Sequence, residues 1–478
     1  MLAGTIGAGT VRCGDSGVKG MGCNCSGAAD RPGSMFAVPV ADRWLVYAGL
    51  SGGCALMNST AVASVAAGSD LGLPGLFDLL ASESLAAVPS GTSDYMPAFL
   101  GLVVTRHCNL SCEYCAFGAV SSHHGAMDPA IAVTAIEWMA GLARRSGLKS
   151  LNVELFGGEP FVARSVVDIV VHKARMAAAE QGLTPYLGAI TNGVFDEDYA
   201  HFVGEYFDVV TLSLDGNASF HDRYRHYPGG CGSFHEVCRT ARILSESSAD
   251  LILRACVTSE NVGSLAETAS WFCEEFRPLR IAFEPLDPVS IPGRLELRPP
   301  DPHEFAVNYA LAQEAASAWK VEVVYSGTPL ERVRCASCPA GNDGMIVLPD
   351  SSISACYLPE HEWQRQGLDL RIGTVRGQEI DINRAAVVRL RQSTQTRPRC
   401  ERCFCRWSCG GGCYVKHSSP GCPADYDDYC VQTRLIAAAQ LLEGLGESDL
   451  AARILTNRAA ADALARHASD RLQDWSGA

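Results

Sequence analysis

The sequence predicts an α/β protein in which a parallel, right-handedly wound sheet lies between a small N-terminal α+β unit and a C-terminal domain organised by cysteines. Three observations carry this. Strand-like apolar runs alternate with helical stretches six times from residue 99 to about 325. Ahead of them, two β-rich runs and a Gly/Ser turn precede a helical segment. Behind them, ten of the 21 cysteines fall between Cys335 and Cys430.

Composition narrows the class. A chain of 478 residues, 47% hydrophobic and 19% charged, suits a globular protein of two to four domains with a sizeable core. A formal charge of −14 without any Lys/Arg block argues against a nucleic-acid partner. The start, MLAGTIGAGTVRCG, has no charged segment followed by an apolar one, and no run approaches the roughly 18 apolar residues of a membrane span. The expectation is a cytoplasmic protein without a membrane partner. An odd number of cysteines in so large a chain points to thiolates on metal rather than to a disulfide framework.

Residues 1–34 are rich in Gly, Ala and Ser, with Cys13, Cys23 and Cys25 interspersed, and read as flexible. Residues 35–98 form a compact unit: FAVPV, WLVYA (Trp44 to Ala48) and the turn GLSGG read as a hairpin, and Asn58-Ser59-Thr60 offers N-caps for a helix from about Ala61. In residues 99–325 strands are expected at 99–105, 151–156, 186–191, 209–214, 251–258 and 279–285. The intervening helices run Pro129 to Arg145, Ala163 to Gln181, Glu197 to Tyr206, Ser233 to Ser245 and Val262 to Glu275, with Pro302 to Trp319 after the sixth strand. Asp128 before Pro129 is an N-cap signature. Periodicity leaves both an open sheet and a partial barrel in play. Residues 326–430 have the Cys, Gly, Pro and Asp content of a metal-organised domain. Residues 431–478 read as two amphipathic helices broken at Gly444 to Gly446, packed over that domain and without chemistry of their own.

The stretch RHCNLSCEYCAF (106–117) follows the first strand and carries Cys108, Cys112 and Cys115. Three thiolates can hold three irons of a cubane and leave the fourth iron open to substrate or cofactor. This Cx3Cx2C spacing, with Tyr114 before the last cysteine, resembles the radical S-adenosylmethionine (SAM) superfamily. Gly157-Gly158-Glu159-Pro160 after the second strand, Thr191-Asn192-Gly193 after the third, and Ser213-Leu214-Asp215-Gly216 after the fourth match motifs of the same superfamily. The run His221-Asp222-x-Tyr224-Arg225 extends the match, although Asp222 and Arg225 also have the spacing of a helical ion pair.

The resemblance implies a partial (β/α)6 TIM-like barrel. It further implies SAM bound along Gly157, Gly158, Glu159, Pro160, Thr191, Asn192, Ser213 and Asp215, on a [4Fe-4S] cluster held by Cys108, Cys112 and Cys115. Reductive cleavage of SAM, fed by a reductant such as flavodoxin or ferredoxin, would give a 5′-deoxyadenosyl radical that abstracts hydrogen from substrate.

The later cysteines, with GMIVLPDSSISAC ending at Cys356 and CGGGC at 409–413, resemble the seven-cysteine pattern of the iron–sulfur SPASM domain. By position, Cys400, Cys403, Cys409 and Cys430 would bind a distal auxiliary [4Fe-4S] cluster. Cys338, Cys356 and Cys413, with Cys335 as fourth ligand, would bind a proximal one, making three clusters in all. The thiolate count alone suits two zinc ions equally well. Ser351 stands where the family has Gly, and Cys405 and Cys422 are left over.

SPASM-containing enzymes are mostly peptide and protein modifiers. Sulfatase maturases place an Asp after the cysteine equivalent to Cys356, as a proposed base, and here Tyr357 stands there. The 35–98 unit is similar to the PqqD-like domain that binds leader peptides, with a structural cap as the plainer alternative. The leading expectation is a maturase that makes a thioether, C–C or related crosslink in a precursor peptide with a leader sequence. The alternatives are a dehydrogenase of a small alcohol or sugar, a sulfatase-maturase-like oxidase, and a non-catalytic Fe–S or zinc scaffold. Tyr357, Glu284 and Asp215 are the candidate bases.

Overall fold

The computed structural model describes residues 35–68, 95–117, 125–287, 297–328, 330, 333–334, 336–338, 344–395, 398–413, 415, 426–466, 469–472 and 475. Cys13, Cys23, Cys25, Cys335 and Cys422 lie outside them.

A sheet of eleven strands is the backbone of the molecule. Its centre is the run β4 (Phe99–Thr105), β5 (Ser150–Gly157), β6 (Thr184–Thr191), β7 (Val209–Ser213), β8 (Asp250–Val257), β9 (Arg280–Pro285) and β10 (Glu322–Val324), all parallel and adjacent in chain order. β10 is one more parallel strand than the apolar runs suggest, because its pairing with β9 compensates for its brevity. Along β5 the alternation is plain: Leu151, Val153 and Leu155 are buried in the main core, while Asn152, Glu154 and Phe156 take the opposite, inner face. The two ends of the sheet, β10 and β14, do not meet, so this is an open partial barrel with its loops gathered at the strand C-termini.

Some of the crossover helices have a side-chain cap at their start. Pro129–Arg145 begins at Asp128, whose carboxylate accepts from the Ala130 N–H at 2.9 Å, as expected. The cysteine-rich region is continuous with the barrel: β11 (Gly344–Val347) pairs parallel with β4, and β12 (Ser352–Ser354), β13 (Arg371–Arg376) and β14 (Glu379–Ile382) follow antiparallel. Ser351, between β11 and β12, has φ +69°, so the turn keeps the left-handed geometry that glycine would adopt more easily.

The N-terminal unit has three strands rather than two, β1 (Met35–Val40), β2 (Arg43–Ala48) and β3 (Gly53–Met57), before a helix at Ser59–Ala66 capped by Asn58. GCALM, between the Gly/Ser turn and Asn58, is β3. At the far end of the chain the expected two helices are three, Asp428–Gly444, Ser448–Thr456 and Arg458–Arg466, followed by β15 (Asp470–Arg471). β15 pairs with β1, and Leu472 packs under the N-terminal sheet. The first of these helices packs on Pro302–Ser317 as well as on the cysteine domain. No helix among the described residues is long and apolar enough to cross a membrane.

Candidate active site at the barrel mouth

The loop bearing Cys108, Cys112 and Cys115 leaves β4 at the C-terminal mouth and is held from two sides. On one side Gly158 N–H donates to Thr105 O and Glu159 N–H to His107 O, both at 2.9 Å. The approach is so close that a Cβ on Gly157 or Gly158 would stand 2.3 Å from a backbone oxygen, which explains both glycines. On the other side Ser111 N–H and Glu113 N–H donate to the carbonyls of His226 and Tyr224. The Asn192 amide donates to Asn109 Oδ1 at 2.8 Å and toward Cys108 Sγ at 3.6 Å.

Glu159 is fully buried and faces protein on every side. Its carboxylate accepts from Asn192 N–H, Thr191 Oγ1 and Phe161 N–H, while burial pushes its pKa up to about 7 against those donors. Thr191 in turn accepts from Gly193 N–H. Glu159 and Thr191 thus build the wall with their side chains. Pro160 opens a short 3-10 turn beneath it, and Ser213 is buried at the end of β7.

Asp215 is a hub. It accepts from Tyr114 Oη, from Arg225 Nε at 2.9 Å and from Cys256 N–H at 2.9 Å. Burial would raise its pKa, but Arg225 and His221 outweigh burial and hold the carboxyl below its ordinary value. The Arg225 guanidinium also lies over the Tyr114 ring at 5.2 Å, fixing the residue next to Cys115. Arg225 therefore pairs with Asp215 and not with Asp222, which instead caps Phe234 N–H at 2.8 Å.

The other candidate bases stand on different walls. Glu284, opposite Cys256 in register, accepts from the Ser326 N–H at 3.1 Å and hydroxyl at 2.8 Å. Tyr357 Oη donates to Glu154 Oε2 at 3.0 Å, its ring leans on Phe156, and Gly101 leaves room for it, since a Cβ there would be 2.6 Å from the hydroxyl. Burial first, and Glu154 second, hold the Tyr357 hydroxyl protonated; burial also raises Glu154. Arg106 Nη1 donates to the Tyr357 carbonyl.

The candidate cluster thiols fall into three groups. Burial pushes Cys108 up to about 12 and Cys112 up to about 11, and Cys108 also feels Cys112 and Cys115. Cys356, pushed up to about 12 by burial, feels Cys338 and Cys413. Cys409, likewise at about 12, feels Cys403 and Cys400, and Cys430 feels Cys403 and Cys409. Cys400, Cys403, Cys409 and Cys430 line one cavity. Cys409 and Cys413 part company because Gly410, Gly411 and Gly412 between them all have positive φ, from 64° to 86°. A Cβ on Gly410 would lie 2.4 Å from Ala336 backbone, so this turn packs against the segment leading to Cys338.

A bound cation would supply the charge that holds such buried thiols as thiolates. Among the described residues no three His, Cys, Asp or Glu side chains are arranged to hold a single ion. A cubane binds each thiolate through a different iron and spreads them further apart.

Two features escaped sequence reasoning. Glu154 was marked only by its inner-face place in LNVELF. Arg434, four residues after Cys430 and hence on the same helix face, donates to Cys403 Sγ at 3.2 Å. The leftover Cys405 hydrogen-bonds Cys403 and, with Arg434, draws that thiol below its ordinary range despite burial.

Comparison with known proteins gives the same picture. Residues 102–272 match the Radical SAM superfamily. The antilisterial bacteriocin subtilosin biosynthesis protein AlbA of Bacillus subtilis is 25% identical over 349 residues, 68% of this chain and 69% of that protein. A cysteine-type anaerobic sulfatase-maturating enzyme of Clostridium perfringens is 23% identical over 325 residues, 64% of this chain and 85% of that protein. Streptococcus suis SuiB, solved bound to the precursor peptide SuiA, shares the fold with a TM-score of 0.50 at 13% identity, covering 80% of this chain and 95% of that one.

Proposed function

We propose, from the match of residues 102–272 to the Radical SAM superfamily, that the chain is a radical SAM oxidoreductase that modifies a leader-bearing precursor peptide, forming a thioether, C–C or related crosslink. The observation that carries this reading is the separation of the thiols into a three-cysteine group at the barrel mouth and two further groups in a domain whose hairpin extends the barrel sheet. The similarity to AlbA, a bacteriocin biosynthesis protein, and the likeness of fold to peptide-bound SuiB support a peptide substrate.

In this reading Cys108, Cys112 and Cys115 would hold the SAM-binding [4Fe-4S] cluster. Cys338, Cys356 and Cys413, with Cys335, would hold one auxiliary [4Fe-4S] cluster, and Cys400, Cys403, Cys409 and Cys430 a second. When bound, the first cluster and SAM together supply hydrogen-atom abstraction from an unactivated C–H bond. The protein supplies the rest. Gly157 and Gly158 let the backbone close on the cysteine loop, and Asn192 orients Cys108. Asp215 anchors Tyr114 and Arg225 rather than serving as a base. Val103, Ile346 and Leu348, with Phe156 and Tyr357, form an apolar patch that excludes water. Tyr357 keeps its proton and donates it in a hydrogen bond to Glu154, which leaves Glu284, bonded to Ser326 at the mouth, as the candidate base. We assign the electron source to flavodoxin or ferredoxin and the workplace to the cytoplasm.

Similarity to a sulfatase-maturating enzyme keeps a protein oxidase as second reading. Anaerobically reconstituted protein with SAM and dithionite should release 5′-deoxyadenosine and remove a pair of hydrogens from a precursor peptide encoded beside the gene, as read by mass spectrometry. Oxidation of a sulfatase peptide with the precursor left intact favours the second reading; no 5′-deoxyadenosine from either sinks both.

A further inference from the structure

Arg434 is 1% exposed, which makes it one of the largest fully buried side chains in the molecule. A guanidinium taken out of water is strongly unfavourable unless it faces negative charge. Its surroundings are built for one orientation. The group is held between Phe404 at 4.9 Å and Tyr426 at 4.2 Å, Nη2 donates to Leu464 O and Ser469 Oγ, and Nη1 points at Cys403 Sγ. It lines the same cavity as Cys400, Cys403, Cys409 and Cys430. The helix that carries it also carries Cys430 in its first turn, behind the N-cap Asp427.

We propose that Arg434 is a positioning residue that raises the reduction potential of the cluster bound by Cys400, Cys403, Cys409 and Cys430, through a charge-assisted hydrogen bond to the Cys403 sulfur. The proposal rests on the reading of those four thiols as ligands of an iron–sulfur cluster. Hydrogen bonds to the sulfurs and nearby charge are what set such potentials. Reduction adds one electron, and one negative charge, to the cluster, while the external one-electron donor is oxidised by the same amount. A fixed cation therefore favours the reduced form over the oxidised form. The aromatic pair and the contacts to Leu464 and Ser469 prevent the guanidinium from turning away when the charge changes.

The test uses full-length, anaerobically reconstituted wild type, Arg434→Met and Arg434→Lys, with iron content and an EPR-monitored redox titration as readouts. Arg434→Met is expected to keep its iron and to shift the midpoint of one cluster to a more negative potential, leaving the other midpoints in place. Arg434→Lys, which keeps the charge but not the planar fork, should fall between the two. If Arg434→Met loses iron, Arg434→Lys decides on the same measurement. Iron retained with unchanged midpoints overturns the proposal, and so does loss of iron in both variants, which makes Arg434 merely structural. If Cys400→Ala leaves iron content and the EPR spectrum unchanged, the cluster reading itself fails and the proposal falls with it.

Discussion

His221 shows how the mouth is held by a residue that never faces it. Fully buried, it accepts the Asp215 N–H at Nδ1, so the ring proton sits on Nε2 and points to Ser233 Oγ at 3.0 Å, whose hydroxyl donates to Arg225 O at 2.8 Å. Burial lowers its pKa to about 4 from 6.5. The unfolded chain thus takes up the His221 proton near pH 6.5 and the folded chain only near 4. The stability held above pH 6.5 is lost between those values, by about 3 kcal/mol in all. Denaturant titrations from pH 7 to 4 should show this loss in wild type and not in His221→Gln; equal slopes would refute the assignment. Sequence pattern set His221 and Arg225 beside the SLDG motif. That Arg225 turns back to Asp215 was not legible, because it depends on the chain reversing at Gly216, where φ is 116°.

Secondary-structure elements were legible where they are long. Six strands and their helices announced themselves because each holds a regular apolar period over several residues. β10, β12 and β15 did not, since strands of two or three residues borrow their conformation from a neighbour already in place. The β5 terminus illustrates the dependence of the site on such neighbours. Gly158→Ala would drive a Cβ into His107 O and Arg106 O, at 2.3 and 2.6 Å, and neither backbone can move without shifting the cysteine loop. We expect about 1–3 kcal/mol of destabilisation, the usual effect of overpacking. Iron bound at the Cys108 group should be lost while helical circular dichroism is retained; an unaltered iron content would contradict the close-approach argument.

At the scale of the whole molecule, the N-terminal unit is part of the body and not an appendage. Phe36, Val38, Val40, Leu45 and Tyr47 belong to the same core cluster as the barrel, while Met35, Ala37 and Val46 form a second core with Val62, Val65 and Leu472. Cutting the unit away would bare that core, so its proposed leader-binding role is better tested in the intact chain. The edges of this sheet among the described residues are β15, of two residues, and β3, of five, so β3 is the longer one open to an added strand. An extended leader added there would protect its amides. Hydrogen–deuterium exchange of Gly53–Met57 is expected to slow when precursor peptide binds; unchanged exchange at saturating peptide would remove the assignment. This shared core could not be read from composition. Nothing local to FAVPV indicates that its partner is four hundred residues away.

That pairing also orders events in time. Phe36 faces Arg471 and Ala37 faces Asp470, and the Trp44 ring meets Trp475 edge to face at 5.7 Å. During synthesis β1 is made well before β15 and keeps one edge unpaired until Asp470–Arg471 emerges. By then Cys108 to Cys430 have all been translated, so the clasp between β1 and β15 can act as a late latch, closing only on a polypeptide whose candidate metal-binding portion is already made.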